Sequence, residues 1–527
     1  MKPAWLNRPL PAALLLVSLW LIWRLVALHG TQVPPPMVHD ESSYLLGADT
    51  FAHGRLANPP HPLAKFFESP HILVRPVYAS KYPPGQAMFL ALGQKLLGEP
   101  FYGVLIGNVL MLFSICVMLY AWVPAPWAIA VSAMIGLCLS PRMYWTNSFW
   151  GGSLAAGGGA LVLLSVGLYR TKPSILAGIT FSVGALLLFS TRPYEGFVFT
   201  VAVLVLFAKD LWRQRNLRVF ICVLSVLIVG GVLSGSYDRA ITGNPFRLPY
   251  ALHTAQYDTA PAFWIQPMYP QPKYSNPRLA AIHGTDGYEA RIYAKDRSVT
   301  DRLLRNIALA ILTYGVWPLT AISLVFVVPV VKRDPLARSL RLLIGIFSLG
   351  LMLETFHFEH YSAPAWGAFA ILAAVWAEKA WKLRYGGFPI GIPLVILGLS
   401  APVFFSLAGH PDSDIGVLPG KCRCSSPFGP YWAVRRSVLI QNLSASDRPA
   451  LVIVRYPSSD WRADEEEWVY NGADIDNQRV IFAHDLGEQE NQALLRYYSG
   501  RQVYMLTFDP QTGQDHLGPY AASASLD

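Results

Sequence analysis

Charged residues and cysteines are both scarce in this chain of 527 residues. Lys, Arg, Asp and Glu make up only 14% of it, whereas soluble domains average about 25%. Hydrophobic residues reach 53%. Three of the five cysteines lie in apolar runs, and the other two, Cys422 and Cys424, are separated by one residue, so that a disulfide between them would be strained. The composition excludes an ordinary soluble domain and disfavours a redox or metal role for cysteine.

The sequence has no phosphate loop, no ligand spacing diagnostic of a metal site and no internal repeat. Its net charge of +9 is compatible with nucleic-acid binding. However, the basic residues are spread through short loops between apolar runs, where they determine membrane topology. No nucleic-acid partner is therefore predicted. The 16 Trp and 25 Tyr are typical of belts at the two membrane faces.

Long apolar runs dominate the chain, and most approach the length of about 20 residues that crosses a bilayer. They predict a mainly α-helical, polytopic membrane protein with about 11 transmembrane helices. The first run lacks a small-residue cleavage site, which indicates a retained helix. The predicted spans are residues 10–29, 101–121, 125–141, 152–169, 174–190, 194–208, 217–236, 304–331, 340–356, 362–379 and 388–408.

Basic residues set the predicted orientation. Clusters within residues 2–8, 170–172, 209–218, 332–341 and 379–384 are placed on the cytoplasmic side. The N-terminus is then cytoplasmic, and the C-terminus is external, or periplasmic, for a multi-pass protein of the inner (plasma) membrane. The apolar piece 84–97 must begin and end outside, and its shortness favours a surface-lying or re-entrant helix.

Three polar regions complete the predicted organisation. A membrane module over residues 1–408 carries two external loops, 30–100 and 237–303. Residues 409–527 form a small external α/β domain. Within it, residues 451–455, 479–482 and 502–508 are predicted strands, and 490–498 a predicted helix.

The acidic pair Asp40-Glu41, preceded by His39, opens the first external loop. Acids at this point would start a helix favourably, which is a purely structural explanation. Capping does not explain why the same loop also collects His71, Lys81 and further polar residues. We therefore interpret Asp40 and Glu41 as catalytic or metal-binding candidates, with His39 as a substrate-binding candidate.

A second motif surrounds Glu68, in Phe-Phe-Glu-Ser-Pro, and Lys81-Tyr82, in Ser-Lys-Tyr-Pro-Pro-Gly-Gln. Pro-Pro-Gly marks a sharp entry into the short helix 84–97. A plain loop anchor with Tyr82 at the interface explains this segment as well as a substrate site does. In the functional interpretation, Glu68, Lys81 and Tyr82 face an anionic or polar substrate.

Two further candidate segments border predicted spans. Arg192 either pairs with Glu195, snorkels to a lipid phosphate or holds a substrate phosphate, and the planar guanidinium suits the last role. His357 and His360 lie in His-Phe-Glu-His, which matches no standard zinc spacing. We favour hydrogen bonding to substrate over metal ligation for these two histidines.

Together these motifs resemble the class C glycosyltransferases, in particular bacterial protein O-mannosyltransferases and lipid A aminoarabinose transferases. The resemblance rests on the external acidic pair, the Tyr-Pro-Pro turn and a late His-Tyr-x-x-Pro at residues 360–364. It implies a polyprenyl-phosphate sugar donor, an external active site and inversion at the anomeric carbon. Asp40 would correspond to the family's base, and Glu68 to the Glu of its Phe-Glu-x-Pro element.

The resulting hypothesis is a membrane glycosyltransferase that moves a hexosyl or pentosyl group from a lipid-phosphate donor to a glycan, lipid or protein acceptor. Membrane lipids are further expected partners. No cofactor is certain, although Asp40, Glu41 and the histidines permit a divalent cation. A transporter or flippase of a lipid-linked or anionic solute is the main alternative, and a non-enzymatic scaffold for envelope assembly is a third. Against transport, the polar residues cluster on one face, and the two halves show no matching broken helices.

Overall fold

A computed structural model describes residues 8–29, 33–140, 144–295, 298–305, 333–408, 431–463 and 466–520. The first half of the chain contains helices α1 to α10. They span α1 Pro9–Leu28, α2 His39–Ala52, α3 Pro84–Leu97, α4 Phe101–Trp122, α5 Ala125–Cys138, α6 Tyr144–Asn147, α7 Gly152–Thr171, α8 Ile175–Thr191, α9 Pro193–Leu206 and α10 Ala208–Arg213.

Helices α11 to α19 follow in the second half. They span α11 Leu217–Thr242, α12 Pro249–Gln256, α13 Pro277–His283, α14 Tyr288–Lys295, α15 Pro335–Leu351, α16 Trp366–Ala380, α17 Gly391–Ala408, α18 Tyr431–Ser444 and α19 Glu488–Tyr497. Short 3₁₀ turns occupy Ala64–Phe66 and Glu359–Ala365. The predicted span 304–331 lies almost wholly outside the described residues, as do Cys422 and Cys424.

The described strands form two sheets. Strands β1 (Ile72–Leu73) and β2 (Ala79–Ser80) make a short antiparallel pair. The second sheet has the order β4-β3-β5-β6 and contains β3 Ala450–Val454, β4 Val480–His484, β5 Gln502–Phe508 and β6 Asp515–Pro519. Strand β3 pairs in parallel with β4 and β5, and β6 runs antiparallel to β5. Strands β3, β4 and β5 lie within two residues of their predicted positions.

Four described helices are long and apolar enough to cross a membrane: α1, α4, α7 and α11. Shorter apolar helices coincide with further predicted spans, among them α5, α8 and α9. The full number of spans stays a prediction. Prolines begin many of these helices, as α1, α3, α5 and α9 show, because the fixed backbone of proline and its missing N–H suit the first turn.

Contacts group the described residues into two units, each assembled from three chain segments. We call the first the helical unit, which falls within residues 1–33, 101–234 and 297–421. We call the second the mixed unit, which falls within 34–100, 235–296 and 422–527. The predicted division at residue 408 stays a prediction.

Close backbone packing organises the helical unit. A Cβ added to Gly159 of α7 would lie 2.0 Å from the carbonyl oxygen of Pro364, and one added to Gly158 would lie 3.0 Å from the carbonyl oxygen of Gly184 in α8. Small residues allow such approach between helices, as is usual in membrane bundles. Helix α7 thereby fixes the position of the 3₁₀ turn that carries His360.

Three hydrophobic layers build the mixed unit. One face of the larger sheet packs on the first loop, where Phe66, Phe67 and Tyr78 meet Leu451 and Ile481. The opposite face packs on helix α18 through side chains that include Trp432, Val452 and Phe482. A third cluster joins strands β1 and β2 to α11, α12 and α13. Burial of each Phe or Leu stabilises the fold by about 1.5–3 kcal/mol, so these layers hold the loops as one packed body.

Candidate active site

Helix α2 begins at the acidic pair. Val38 is extended and serves as the N-cap, and Asp40 and Glu41 stand in the first turn, where the helix dipole favours negative charge. Glu41 is fully buried, and its carboxylate accepts a hydrogen bond from the backbone N–H of Met37. The Glu41 carboxylate thus ties the segment before the N-cap to the first turn of α2.

Asp40 faces a different set of groups. The hydroxyl of Tyr82 donates a hydrogen bond to Asp40 Oδ1. The other carboxylate oxygen, Oδ2, lies 3.1 Å from His39 Nδ1 and 3.5 Å from His71 Nε2. The two imidazole rings stand 4.6 Å apart, centroid to centroid. One carboxylate is thus held from both sides by a phenol and two histidines.

The charge state of Asp40 follows from this environment. Burial acts to raise its pKa, but the charges of His71, His39 and Lys81 and the hydrogen bond from His39 outweigh burial and hold the pKa well below its usual range. Burial of the Tyr82 hydroxyl and the negative charge of the neighbouring Asp40 raise the pKa of Tyr82 well above its usual value. Asp40 is therefore an ionised carboxylate beside a neutral phenol at neutral pH.

The β1–β2 pair brings Lys81 to this carboxylate. The Ser43 hydroxyl of α2 donates to the His71 carbonyl at 2.7 Å and lies 2.8 Å from the Ser80 hydroxyl. These contacts fasten the pair to α2. Lys81 follows β2 directly and is buried, with its ammonium 5.4 Å from the centroid of the Tyr82 ring. A buried cation so close to a site suits an anionic group of a substrate.

Two histidines of the second loop, His253 on α12 and His283 on α13, complete the cluster. His253 Nδ1 lies 3.1 Å from Asp258 Oδ1, and His283 Nδ1 lies 3.2 Å from the same oxygen and 2.7 Å from Glu289 Oε2. Burial lowers the pKa of His253 to about 4. Burial also acts to lower the pKa of His283, but the Glu289 and Asp258 carboxylates prevail and raise it.

One ring nitrogen from each of His71, His253 and His283 lies within 4.8 Å of those of the other two. All three rings are buried. His39, Asp40 and His71 form a second group within the same limit, and Asp258, His283 and Glu289 a third. The described residues therefore offer a continuous set of nitrogen and oxygen donors that could hold a divalent cation.

Glu68 lies against the second loop. Its carboxylate accepts hydrogen bonds from the Ser275 hydroxyl and, at 3.4 Å, from the Tyr257 hydroxyl. His484 Nε2 lies 2.8 Å from its backbone oxygen. Burial raises the pKa of Glu68, although both hydroxyls favour the ionised form. A carboxyl group of this kind can exchange hydrogen bonds with a hydroxyl group of a ligand.

The remaining predicted residues belong to the helical unit and meet around Tyr361. The Arg192 guanidinium lies 4.5 Å from the Tyr361 ring centroid, and its Nη1 lies 3.6 Å from Glu195 Oε1. The rings of His357 and His360 lie 6.2 Å and 4.9 Å from Tyr361. The predicted pairing of Arg192 with Glu195 is present, and the cation sits against an aromatic face.

The structure brings seven of the nine predicted residues together in two groups, and Glu41 and Glu68 contact other partners. His39, Asp40, Lys81 and Tyr82 meet at one point of the mixed unit, and Arg192, His357 and His360 meet in the helical unit. The sequence analysis missed His253, His283, Asp258 and Glu289, which come from separate helices and loops and share no local spacing. Their one signal is the presence of His and acidic residues in a loop already predicted to be external.

Comparison with known proteins identifies the fold. No family model and no curated protein sequence matches the chain. The crystal structure of ArnT from Cupriavidus metallidurans in the apo state matches with a TM-score of 0.52 at 13% identity, over 94% of this chain and 93% of that one. The structure of ArnT bound to undecaprenyl phosphate matches with a TM-score of 0.50 at 14% identity, with the same coverage. The chain has the fold of class C membrane glycosyltransferases, and the predicted resemblance is confirmed for the fold.

Proposed function

We propose that this chain is a membrane glycosyltransferase that transfers a sugar from a polyprenyl-phosphate donor to an acceptor hydroxyl, with inversion at the anomeric carbon. The observation that supports it best is Asp40, a partly buried carboxylate that is kept ionised and oriented by Tyr82, His39 and His71. A similar fold binds undecaprenyl phosphate in ArnT, which favours the same class of carrier here.

Asp40 is the proposed base. It accepts the proton of the acceptor hydroxyl as the hydroxyl oxygen bonds to the anomeric carbon and the bond from that carbon to the phosphate oxygen breaks. A carboxylate of low pKa is a weak base, so the proton moves late, after bond formation has made the hydroxyl acidic. Glu41, fixed to the Met37 amide, positions the first turn of α2 and with it Asp40.

The leaving phosphate gains charge as the sugar departs. Fixed cations near it stabilise the transition state more than the ground state. Lys81, buried beside the Asp40 cluster, is the proposed cation of the mixed unit. Arg192, with His357 and His360 around Tyr361 in the helical unit, is the alternative candidate for the donor phosphate. Glu68 is the proposed contact to the sugar, and Tyr82 is the proposed positioning residue for Asp40.

The proposed setting is the inner membrane, with the N-terminus cytoplasmic and both loops external. Residues 409–527 are proposed to lie on the same external side. The packing of Phe66 and Phe67 of the first loop against Leu451 and Ile481 of the larger sheet supports this placement, because a sheet that shares a core with an external loop lies on the same side of the bilayer.

The test is an assay of the purified full chain in detergent micelles with a panel of polyprenyl-phosphate sugars. Loss of sugar from the donor, by transfer or by hydrolysis, is the readout, so the acceptor need not be known. We expect at least one donor to be consumed. Uptake of a lipid-linked solute into vesicles without any covalent change would instead establish transport.

A further inference from the structure

Three buried histidines from three separate parts of the mixed unit converge on one point. His71 precedes β1, His253 lies on α12 and His283 ends α13. The centroid of the His71 ring lies 6.0 Å from that of His253 and 5.5 Å from that of His283. The centroids of the His253 and His283 rings lie 5.3 Å apart. Packing alone rarely collects three imidazoles, because each buried ring needs partners for two polar nitrogens.

Carboxylates stand behind two of these rings. Glu289 Oε2 lies 2.7 Å from His283 Nδ1, and Asp258 Oδ1 lies 3.1 Å from His253 Nδ1. When Nδ1–H donates to a carboxylate, the lone pair of the neutral ring is on Nε2. In these three described rings, the buried nitrogens without a hydrogen-bond partner are His71 Nδ1, His283 Nε2 and His253 Nδ1, and the last of these is in ion-pair contact with Asp258. Carboxylate–histidine pairs of this kind orient the ligands of metal sites.

Carboxylates lie against all three rings. Asp258 lies beside His253 and His283, Glu289 lies beside His283, and Asp40 lies beside His71. Carboxylates placed in this way around histidines favour a bound cation over a bound anion.

We propose that His71, His253 and His283 bind one divalent transition-metal ion of the zinc class, with Asp258 and Glu289 as supporting carboxylates. Imidazole nitrogens suit Zn²⁺, whereas Mg²⁺ and Ca²⁺ prefer oxygen ligands. Metal–nitrogen bonds of about 2.0–2.1 Å bring tetrahedral ligands to roughly 3.4 Å from each other. The nitrogens lie within 4.8 Å now, so small ring rotations close the site.

The proposed metal site adjoins the proposed catalytic residue. Asp40 Oδ2 lies 3.5 Å from His71 Nε2, and His39, Asp40 and His71 form their own group within 4.8 Å. The metal would then hold His71 and the loop that carries it against α2. This inference stands on the three rings and their carboxylates and is independent of the proposed transfer reaction.

The test measures metal in the purified full chain. After removal of metal with a chelator, the protein is titrated with Zn²⁺ and, separately, with Co²⁺, and bound metal is determined by elemental analysis after dialysis. We expect one ion per chain, and visible absorption typical of tetrahedral Co²⁺ with nitrogen ligands. His253→Gln is expected to abolish both. His53→Gln is the matched control, because the His53 side chain is half exposed and contacts Asp49 instead.

A second variant keeps the three ligands in place. Asp258→Asn removes the carboxylate that lies beside His253 and His283, and we expect a loss of about 10–100-fold in Zn²⁺ affinity. Zinc is also expected to raise the melting temperature of the wild type and of His53→Gln but not of His253→Gln. The proposal is overturned if the wild type holds no stoichiometric Zn²⁺, or if His253→Gln and Asp258→Asn both bind it as the wild type does. Because neither readout uses a sugar donor, failure of the transfer assay leaves this result intact.

Discussion

The Tyr82 hydroxyl donates a hydrogen bond to Oδ1 of Asp40, although 42 residues separate the two along the chain. The Tyr82 ring is itself stacked on Tyr44 of α2 at 4.2 Å, and its carbonyl accepts from the Tyr237 hydroxyl at 2.9 Å. Tyr82 is therefore held on two sides and in turn fixes one oxygen of Asp40. In the proposed mechanism Tyr82 is a positioning residue for the base.

Replacement of Tyr82 by Phe tests that role. Tyr82→Phe keeps the stacked ring and removes only the hydroxyl, so Asp40 can turn away from the attacking geometry. Displacements of about 1 Å can lower rates by up to 10²-fold, and we expect kcat to fall about tenfold or more with little change in KM. Steady-state kinetics on the consumed donor provide the measurement. Tyr385→Phe is the control, because Tyr385 is 78% exposed. Equal kcat values for both variants would remove Tyr82 from the mechanism.

Lys81 is predicted to bind the donor's phosphate. Lys81→Met keeps the length of the side chain and removes the charge. Hydrogen bonds to charged groups contribute about 1.5–3 kcal/mol, so we expect donor affinity to fall roughly tenfold to a hundredfold. Binding of the donor is measured by titration, with Lys273→Met as an exposed control. Unchanged affinity in Lys81→Met would assign the phosphate to another cation.

Acid is predicted to destabilise the mixed unit through Glu467. This buried carboxylate pairs with Arg278 at 3.0 Å and accepts from the Tyr456 hydroxyl at 2.6 Å. Burial acts to raise its pKa, but Arg278, His484 and Tyr456 outweigh burial and lower it. A lowered folded-state pKa adds stability above the unfolded value of about 4.3, and this stability is lost as pH falls through the folded-state pKa.

We therefore expect the melting temperature to be nearly constant from neutral pH down to about pH 5 and to drop below about pH 4. Glu467→Gln should be less stable at neutral pH, because Arg278 is left without its anion, and should show a smaller drop in acid. Glu490→Gln, at a largely exposed carboxylate paired with Lys65, is the control. An acid-induced drop of equal size in Glu467→Gln and the wild type would contradict this assignment.

Gly159 is predicted to be irreplaceable in the helical unit. A Cβ at this position would meet the Pro364 carbonyl oxygen at 2.0 Å, so Gly159→Ala must push the 3₁₀ turn with His360 away from α7. Overpacking of this kind costs about 1–3 kcal/mol. Gly345→Ala is a matched control, because a Cβ added to Gly345 of α15 would meet no packing neighbour within 4 Å. Thermal unfolding in detergent should separate the two variants, and equal melting temperatures would show that the turn can yield.

Local signals in the sequence predicted much of this architecture. Helix α3 has the predicted bounds because Pro83-Pro84-Gly85 fixes its start and Gly98, with a positive φ of 84°, ends it. Helix α15 differs from the predicted span 340–356 and runs from Pro335 to Leu351. Its start is set by Asp334, whose side chain accepts from the Ala337 amide at 2.9 Å. The length of an apolar run does not reveal an N-cap that lies before the run.

The site was predictable only in part. The sequence indicated Asp40 because it follows the first predicted span closely. It indicated Lys81 and Tyr82 because they directly precede the short helix 84–97. His253 and His283 are 30 residues apart on different helices, and no spacing rule joins them to His71. The packing of Phe66 and Phe67 on the larger sheet is likewise a long-range contact, which periodicity within a segment cannot reveal.

The most direct test of the account compares Asp40→Asn with the wild type in a single-turnover assay of sugar loss from the donor. Asp286→Asn is the control, because Asp286 is exposed and its backbone carbonyl accepts from Arg291. We predict that Asp40→Asn lowers the rate on the order of a hundredfold or more, while Asp286→Asn retains the wild-type rate. Wild-type turnover by Asp40→Asn would contradict the assignment of Asp40 as the base.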